Sequence, residues 1–139
     1  MILEIRNLFN YEICHNIIQK QFSLLINVKK SHLKNGVRNM YIAMNRFKIT
    51  LGRENDFENI WKERDTHLEN VPGFKKFNLI KGKKQDTFTL YASHSEWSSE
   101  EDFLNWTKSE AFRLAHKDAG KHQDLYLGHP NFEGFEKIL

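Results

Sequence analysis

From Tyr41 to Ile49 the chain reads Tyr-Ile-Ala-Met-Asn-Arg-Phe-Lys-Ile, with apolar side chains at both odd and even positions. That pattern predicts a strand covered on both faces. Gly52 ends it. Phe57, Ile60, Trp61, Arg64 and Leu68 recur at helical spacing and predict an amphipathic helix over 54–69. Pro72 and Gly73, in Val71-Pro-Gly-Phe74, stop that helix. Lys76 to Ile80 predicts a second strand, 82–86 a hairpin connection, and Thr87 to Trp97 a longer third strand. Ser98 with Glu101 has the form of a capping box opening a helix that carries Phe103, Leu104 and Trp106. Ser109 is placed to cap a further segment, Glu110 to Lys117, ending before Gly120. Phe132 to Leu139 predicts a last short strand.

The order strand, helix, strand, strand, helix, strand is that of an α+β, ferredoxin-like βαββαβ fold, an antiparallel sheet with helices on one face. The first and third strands are apolar on their other face as well. A second copy of the same sheet is the simplest cover for that face, so a homodimer is expected.

Residues 1–39 differ in kind. They are rich in Ile, Leu and Asn and hold no Trp or Pro. Leu8, Phe9, Ile13, Ile17, Phe22 and Leu25 have weak helical periodicity, and 29–39 reads as linker. Three readings of this N-terminal extension stand side by side. Translation begins at Met40, or the segment is an appendage docking on the domain, or it is a membrane-surface helix. In each, the domain is 40–139.

Composition narrows the field. Eleven Phe and three Trp in 139 residues favour aromatic packing or a flat aromatic ligand. A single Cys, Cys14, excludes an internal disulfide and fits a reducing compartment. The net charge of +3 is uneven: residues 1–39 carry six basic and two acidic side chains, leaving fifteen basic and sixteen acidic in 40–139. The domain therefore lacks the basic surplus expected of a nucleic-acid binder. No run of apolar residues is long enough to span a bilayer. Glu4, Arg6, Glu12 and His15 interrupt the first apolar stretch, so a signal peptide is not expected and a cytoplasmic protein is.

Few residues offer chemistry. His116 ends Ala111-Phe-Arg-Leu-Ala-His116 on a helix with an apolar face. A helical His is ordinarily structural, as a lone Trp such as Trp106 is ordinarily core. Asn45 is more unusual. It sits mid-strand, sharing a face with Tyr41, Ala43, Phe47 and Ile49. An amide buried there without a partner costs about 1–3 kcal/mol, which points to a ligand. His94, His122 and His129 have no zinc-like spacing and read as surface residues. Lys75, Lys76, Lys81, Lys83 and Lys84 read as a solvated turn. The acidic run Glu100-Glu101-Asp102 suits the first turn of a helix. There is no phosphate-binding glycine loop and no GxSxG elbow.

Four segments carry a resemblance: Met44-Asn-Arg-Phe47, Val71-Pro-Gly-Phe74, Thr89-Leu-Tyr-Ala-Ser-His94, and Trp106-x-Lys-Ser-Glu-Ala-Phe-Arg-x-Ala-His116. In order and spacing they resemble the IsdG-like haem-degrading monooxygenases of the antibiotic biosynthesis monooxygenase (ABM) superfamily, most nearly the branch found in Gram-negative haem-uptake operons. The likeness covers essentially all of 40–139 and none of 1–39. It implies a ferredoxin-like domain that pairs through its sheets into a dimeric α+β barrel.

The resemblance also implies a triad of Asn45, Trp106 and His116. His116 would ligate the haem iron, the metal of the site, and leave the opposite axial position to dioxygen. Trp106 would ruffle the porphyrin by its bulk, and Asn45 would direct a hydrogen bond toward the iron-bound ligand. Trp61 matches, more loosely, an aromatic lining the haem pocket. Haem would be both substrate and cofactor, an external electron donor would be needed, and the products would be iron and a biliverdin-like tetrapyrrole. Two other readings remain open: a haem carrier or sensor without turnover, and a cofactor-free quinol or polyketide monooxygenase, which would not need His116.

Overall fold

A computed structural model of the protein describes residues 39–139. The readings of residues 1–38, including the amphipathic helix, fall outside the described residues. The elements run β1 (Tyr41–Thr50), α1 (Glu54–Glu63), β2 (Phe74–Lys84), β3 (Phe88–Trp97), α2 (Glu100–Thr107), α3 (Glu110–His116), a one-turn 3-10 helix (Gln123–Leu125) and β4 (Asn131–Glu136). The strands form one antiparallel sheet in the order β2-β3-β1-β4, with the helices on one face. The α+β ferredoxin-like architecture expected from the patterning is the one observed. No helix among the described residues is long and apolar enough to cross a membrane.

Alternation along β1 decides which side chains meet the helices. Tyr41, Ala43, Phe47 and Ile49 are buried, and their partners on β3 are Trp97, Ser95, Tyr91 and Thr89, also buried. A slip of one residue would turn this whole set away from the helices. The buried side chains fall into two clusters. Tyr41, Ala43, Leu68, Trp97 and Phe103 pack beneath α2. Phe47, Ile49, Phe57, Tyr91 and Leu125 pack beneath α1. Each fully buried large side chain contributes roughly 1.5–3 kcal/mol. Asn45 lies opposite Ser93 between Ala43 of one cluster and Phe47 of the other. Two polar residues thus stand where the core divides.

Three local expectations are corrected. The first helix ends at Glu63 rather than residue 69, because Arg64 takes an extended conformation, ψ 126°. The Asp65 carboxylate accepts the His67 backbone N–H at 2.8 Å, a local bond that competes with helix. His67 and Asn70 then adopt positive φ, 50° and 63°. Leu68 reaches the core from this loop, not from a helix face. The cap of α2 is Ser99 with Asp102, not Ser98 with Glu101. Ser99 Oγ accepts the Asp102 N–H at 3.1 Å and donates to Asp102 Oδ2 at 2.7 Å, while the Ser98 N–H is used by the Gly73 carbonyl. Finally, β2 extends from Phe74 to Lys84 with two irregularities in register, leaving a shorter turn. It is an edge strand, where exposed lysines are well tolerated.

At the other edge β4 comes very close to β1. A Cβ on Gly134 would fall 1.9 Å from the Tyr41 hydroxyl, so only glycine fits there.

Candidate functional site

Ser109 caps α3 by accepting the Phe112 N–H at 3.2 Å, and this sets the helix direction. At its other end the His116 ring stacks on Phe112, 4.0 Å between centroids and 27° between planes. His116 Nδ1 lies 2.8 Å from the Phe112 carbonyl oxygen. A carbonyl only accepts, so Nδ1 carries the proton and Nε2 keeps its lone pair. Backbone orientation of this kind is how imidazole ligands of metals are commonly held.

Burial disfavours the imidazolium, and the nearby Arg64 guanidinium adds to this. Together they press the His116 pKa down to about 4, against the opposing bond to Phe112. The imidazole is therefore neutral across the physiological range. Between pH 6.5 and about 4 the unfolded chain takes up a proton here that the folded chain refuses. Stability is then expected to be whole above pH 6.5 and to fall as pH drops through that window, by roughly 3 kcal/mol at most. Urea unfolding at pH 7 and pH 4.5 checks this. His116→Gln should lose less on acidification, and an equal loss in both proteins would refute the assignment.

Trp106 stands beside His116, 6.0 Å between ring centroids. It meets Phe112 edge-on at 4.9 Å and Trp97 at 5.2 Å. Its indole Nε1–H is the one buried side-chain polar atom among the described residues without a hydrogen-bond partner. An orphaned buried donor costs about 1–3 kcal/mol, and donors of this kind mark places where something else binds. Asn45 is half-buried on the sheet below.

Of the four residues singled out from the sequence, Trp106 and His116 are in contact. Asn45 lies apart on the sheet, where the two core clusters meet. Trp61 belongs to the second cluster, stacked on Phe77 at 5.7 Å and 15°, and it is linked to His116 only through a residue that sequence reasoning passed over. That residue is Arg64. Its guanidinium sits over the Trp61 ring, 4.7 Å from the centroid, and donates to the Ala115 carbonyl next to His116. Burial pulls its pKa below the usual guanidinium value. Its one signal in the sequence was a cation standing in line with Phe57, Ile60 and Trp61. On its outer side lies an open cavity of about 480 Å³, lined also by Asp65, Thr66, His67, Glu69, Ala111 and Leu114. This is within the size range of small-molecule sites, although its lining excludes Asn45, Trp106 and His116. Arg64 lines that cavity and reaches the carbonyl of Ala115, the neighbour of His116.

The donor set decides which metal centre fits. Among the described residues no three His, Cys, Asp or Glu side chains are grouped to hold a bare ion. A single neutral imidazole suits a metal whose equatorial positions are already filled, as in a haem. The orphaned indole N–H, the aromatic walls and the half-buried Asn45 amide fit the same group.

Residues 40–118 match the family profile described as Antibiotic biosynthesis monooxygenase. A Heme oxygenase (staphylobilin-producing) of Staphylococcus epidermidis is 37% identical over 57 residues, 41% of this chain and 55% of the relative. The chain thus spans about half the length of the curated relatives it first matches. A Heme-degrading monooxygenase of Bacillus thuringiensis is 30% identical over 88 residues, 63% of this chain and 81% of the relative. Among solved structures, a mutant of MhuD, the heme degrader of Mycobacterium tuberculosis, has two manganese protoporphyrin IX bound per active site. It superposes with a TM-score of 0.56 at 25% identity, covering 71% of this chain and 95% of MhuD. SnoaB, a cofactor-independent oxygenase of Streptomyces nogalater, superposes with a TM-score of 0.53 at 18% identity, over 73% of this chain and 95% of its own, a likeness of fold alone.

Proposed function

Because the chain belongs to the antibiotic biosynthesis monooxygenase family, we propose that it is the haem-degrading kind, binding haem through His116 and opening the porphyrin with dioxygen and an external electron donor. The observation that carries this reading is His116 itself. Its Nδ1 is committed to the Phe112 carbonyl, its Nε2 is available, and its proton is held off by burial and Arg64.

Bound haem would supply the redox chemistry and be its own substrate. The chain's residues do the rest. His116 would hold the iron through Nε2, its own ring oriented by the Phe112 carbonyl. Trp106 would set its indole face against the macrocycle and offers an Nε1–H without a partner among the described residues. Asn45, fixed by the β1–β3 register, presents an amide from the sheet. Trp61 supplies a further aromatic wall. The apolar rings would keep water from the centre, and Arg64, bonded to the Ala115 carbonyl, stands next to His116.

Residues 40–139 form the working domain in this proposal, with 1–39 an extension outside it. A second copy covers the open sheet face. The printed names of the Staphylococcus, Bacillus and Mycobacterium proteins support haem degradation. The likeness to SnoaB is one of fold and assigns no cofactor-free chemistry to this chain.

Purified protein mixed with hemin should develop a Soret band, which should decay when ascorbate is added in air with catalase present. A lasting band under reductant would make the protein a carrier. Failure to form a band would reject haem as the ligand. Mass spectrometry of the decayed sample identifies the tetrapyrrole.

A further inference from the structure

Oxidisable rings run in a line from His116 toward the end of β1. Trp106 is 6.0 Å from the His116 ring and 5.2 Å from Trp97. Trp97 lies directly opposite Tyr41 on the β1–β3 ladder. Phe103 fills the corner, 5.5 Å from Tyr41, 5.6 Å from Trp97 and 5.8 Å from Trp106. Tyr41 and Trp97 are buried, at 4% and 0% exposed.

The second aromatic cluster is built differently. There Phe57 stands between Trp61 and Tyr91, at 6.1 and 4.8 Å, and Phe47 between Trp61 and Tyr126, at 5.8 and 6.0 Å. A phenyl ring is far harder to oxidise than an indole or a phenol, and that cluster has no direct contact between indoles such as joins Trp106 to Trp97. From Trp97 to Tyr41 the step crosses the strand ladder beside Phe103.

Proton placement gives the first line a direction. The Trp106 Nε1–H has no acceptor. An indole oxidised there keeps its proton and stays strongly oxidising, so it passes the vacancy on. Trp97 Nε1–H donates to Ser95 Oγ at 2.9 Å, and that hydroxyl donates to the Ala43 carbonyl at 3.3 Å, neither of them a base. A phenol, by contrast, gives up its proton when oxidised. Burial first, and then the charge of Glu100, first residue of α2, keep the proton on the Tyr41 hydroxyl until the ring is oxidised.

We propose that Trp106, Trp97 and Tyr41 form a relay that drains single oxidising equivalents from the haem site to Tyr41. The inference rests on the haem reading above. Hydrogen peroxide, reduced at the bound haem, is the oxidant. One electron passes from Tyr41 to Trp97, from Trp97 to Trp106, and from Trp106 to the haem site. Tyr41 gives its phenolic proton to Glu100 in the same event. A thiol or ascorbate then returns one electron and one proton to the tyrosyl radical. Two such passages, with two protons, reduce one peroxide to two waters. The relay spares Trp106 and His116 from oxidation when peroxide reaches the haem.

The test uses the full chain loaded with hemin, its Soret band recorded first. The sample is mixed with hydrogen peroxide, freeze-quenched for electron paramagnetic resonance, and then digested for mass spectrometry. A tyrosyl signal is expected. Tyr41→Phe should lower it several-fold and raise oxidation of Trp97 and Trp106 with the Soret band unchanged. Trp97→Phe should likewise remove the Tyr41 radical, and Tyr41→Phe alone decides if that variant does not fold. An undiminished signal in Tyr41→Phe would place the radical on Tyr91 or Tyr126 and overturn the relay. So would a haem-loaded protein that forms no protein radical. Absence of the Soret band would overturn the haem reading and the relay together, whereas a normal band without a Tyr41 radical overturns the relay alone.

Discussion

Replacing His116 with alanine should weaken hemin binding about 100-fold, a loss of ~2.7 kcal/mol, and shift the Soret band to that of haem without an imidazole ligand. The substitution removes the Nε2 lone pair that Nδ1's bond to the Phe112 carbonyl leaves available. It also removes a ring stacked at 4.0 Å on Phe112, so unfolding of the ligand-free protein needs to be measured alongside. Added imidazole separates the two effects. If the lost group is an iron ligand, free imidazole in the vacated space restores the parent spectrum. If the ring only supports α3, imidazole restores nothing. A spectrum unchanged by the substitution would remove His116 from the site.

Trp106→Phe carries the second large effect. Phenylalanine keeps an edge against Phe112 and a face toward Trp97 while removing the indole N–H and about a third of the ring system. Hemin should still bind within a few-fold of the parent. Porphyrin opening should slow by about tenfold or more, ~1.4 kcal/mol of barrier, because the surface that presses on the macrocycle is smaller. Trp106→Ala is less informative: emptying this site of packing costs roughly 3–5 kcal/mol of stability, which would blur a rate effect with unfolding. Single-turnover decay of the Soret band under ascorbate is the measurement, and a parent-like rate in Trp106→Phe would refute the distorting role.

Much of this architecture is legible in the chain because alternation is a strong signal. The two-faced pattern of Tyr41 to Ile49 gave a central strand, and the same alternation put Asn45 on the helix side, where it is found. Ser109 was legible as a cap because the helix it opens is short and begins at once. The end of α1 was not. Leu68 continues the apolar spacing and is buried as that spacing requires, yet the Asp65 side chain captures the His67 N–H and the helix ends at Glu63, six residues short of the expected 69. Periodicity reports what is buried, not the backbone that buries it. The cap of α2 was displaced by one residue because Ser98 and Ser99 are equally good oxygens, and the choice was made by a distant carbonyl, Gly73.

The site was legible in its members and not in its arrangement. His116 and Trp106 are ten residues apart on two short helices, and their contact depends on the turn at Lys108 and Ser109. Arg64 was hidden because an arginine in an amphipathic helix ordinarily points its head to water. Here the helix stops at its own position, and the freed side chain folds back across Trp61 to the Ala115 carbonyl. No pattern in the linear chain announces a bond to a carbonyl fifty-one residues away.

The sheet's open face has a further consequence. Ile80 and Phe135 stand 42% and 47% exposed there, at either side of a surface that includes Ile42, Met44 and Leu90. When two copies close over such a surface, mass action enters the folding equilibrium. The melting temperature should climb with the logarithm of protein concentration, and a flat dependence would speak against pairing. Asn45 projects from the other side of that same strand, so loosening β1 on dilution would loosen the floor of the pocket. Hemin titrations at nanomolar protein would then report a weaker affinity than titrations at tens of micromolar, with no change in any residue that touches the ligand.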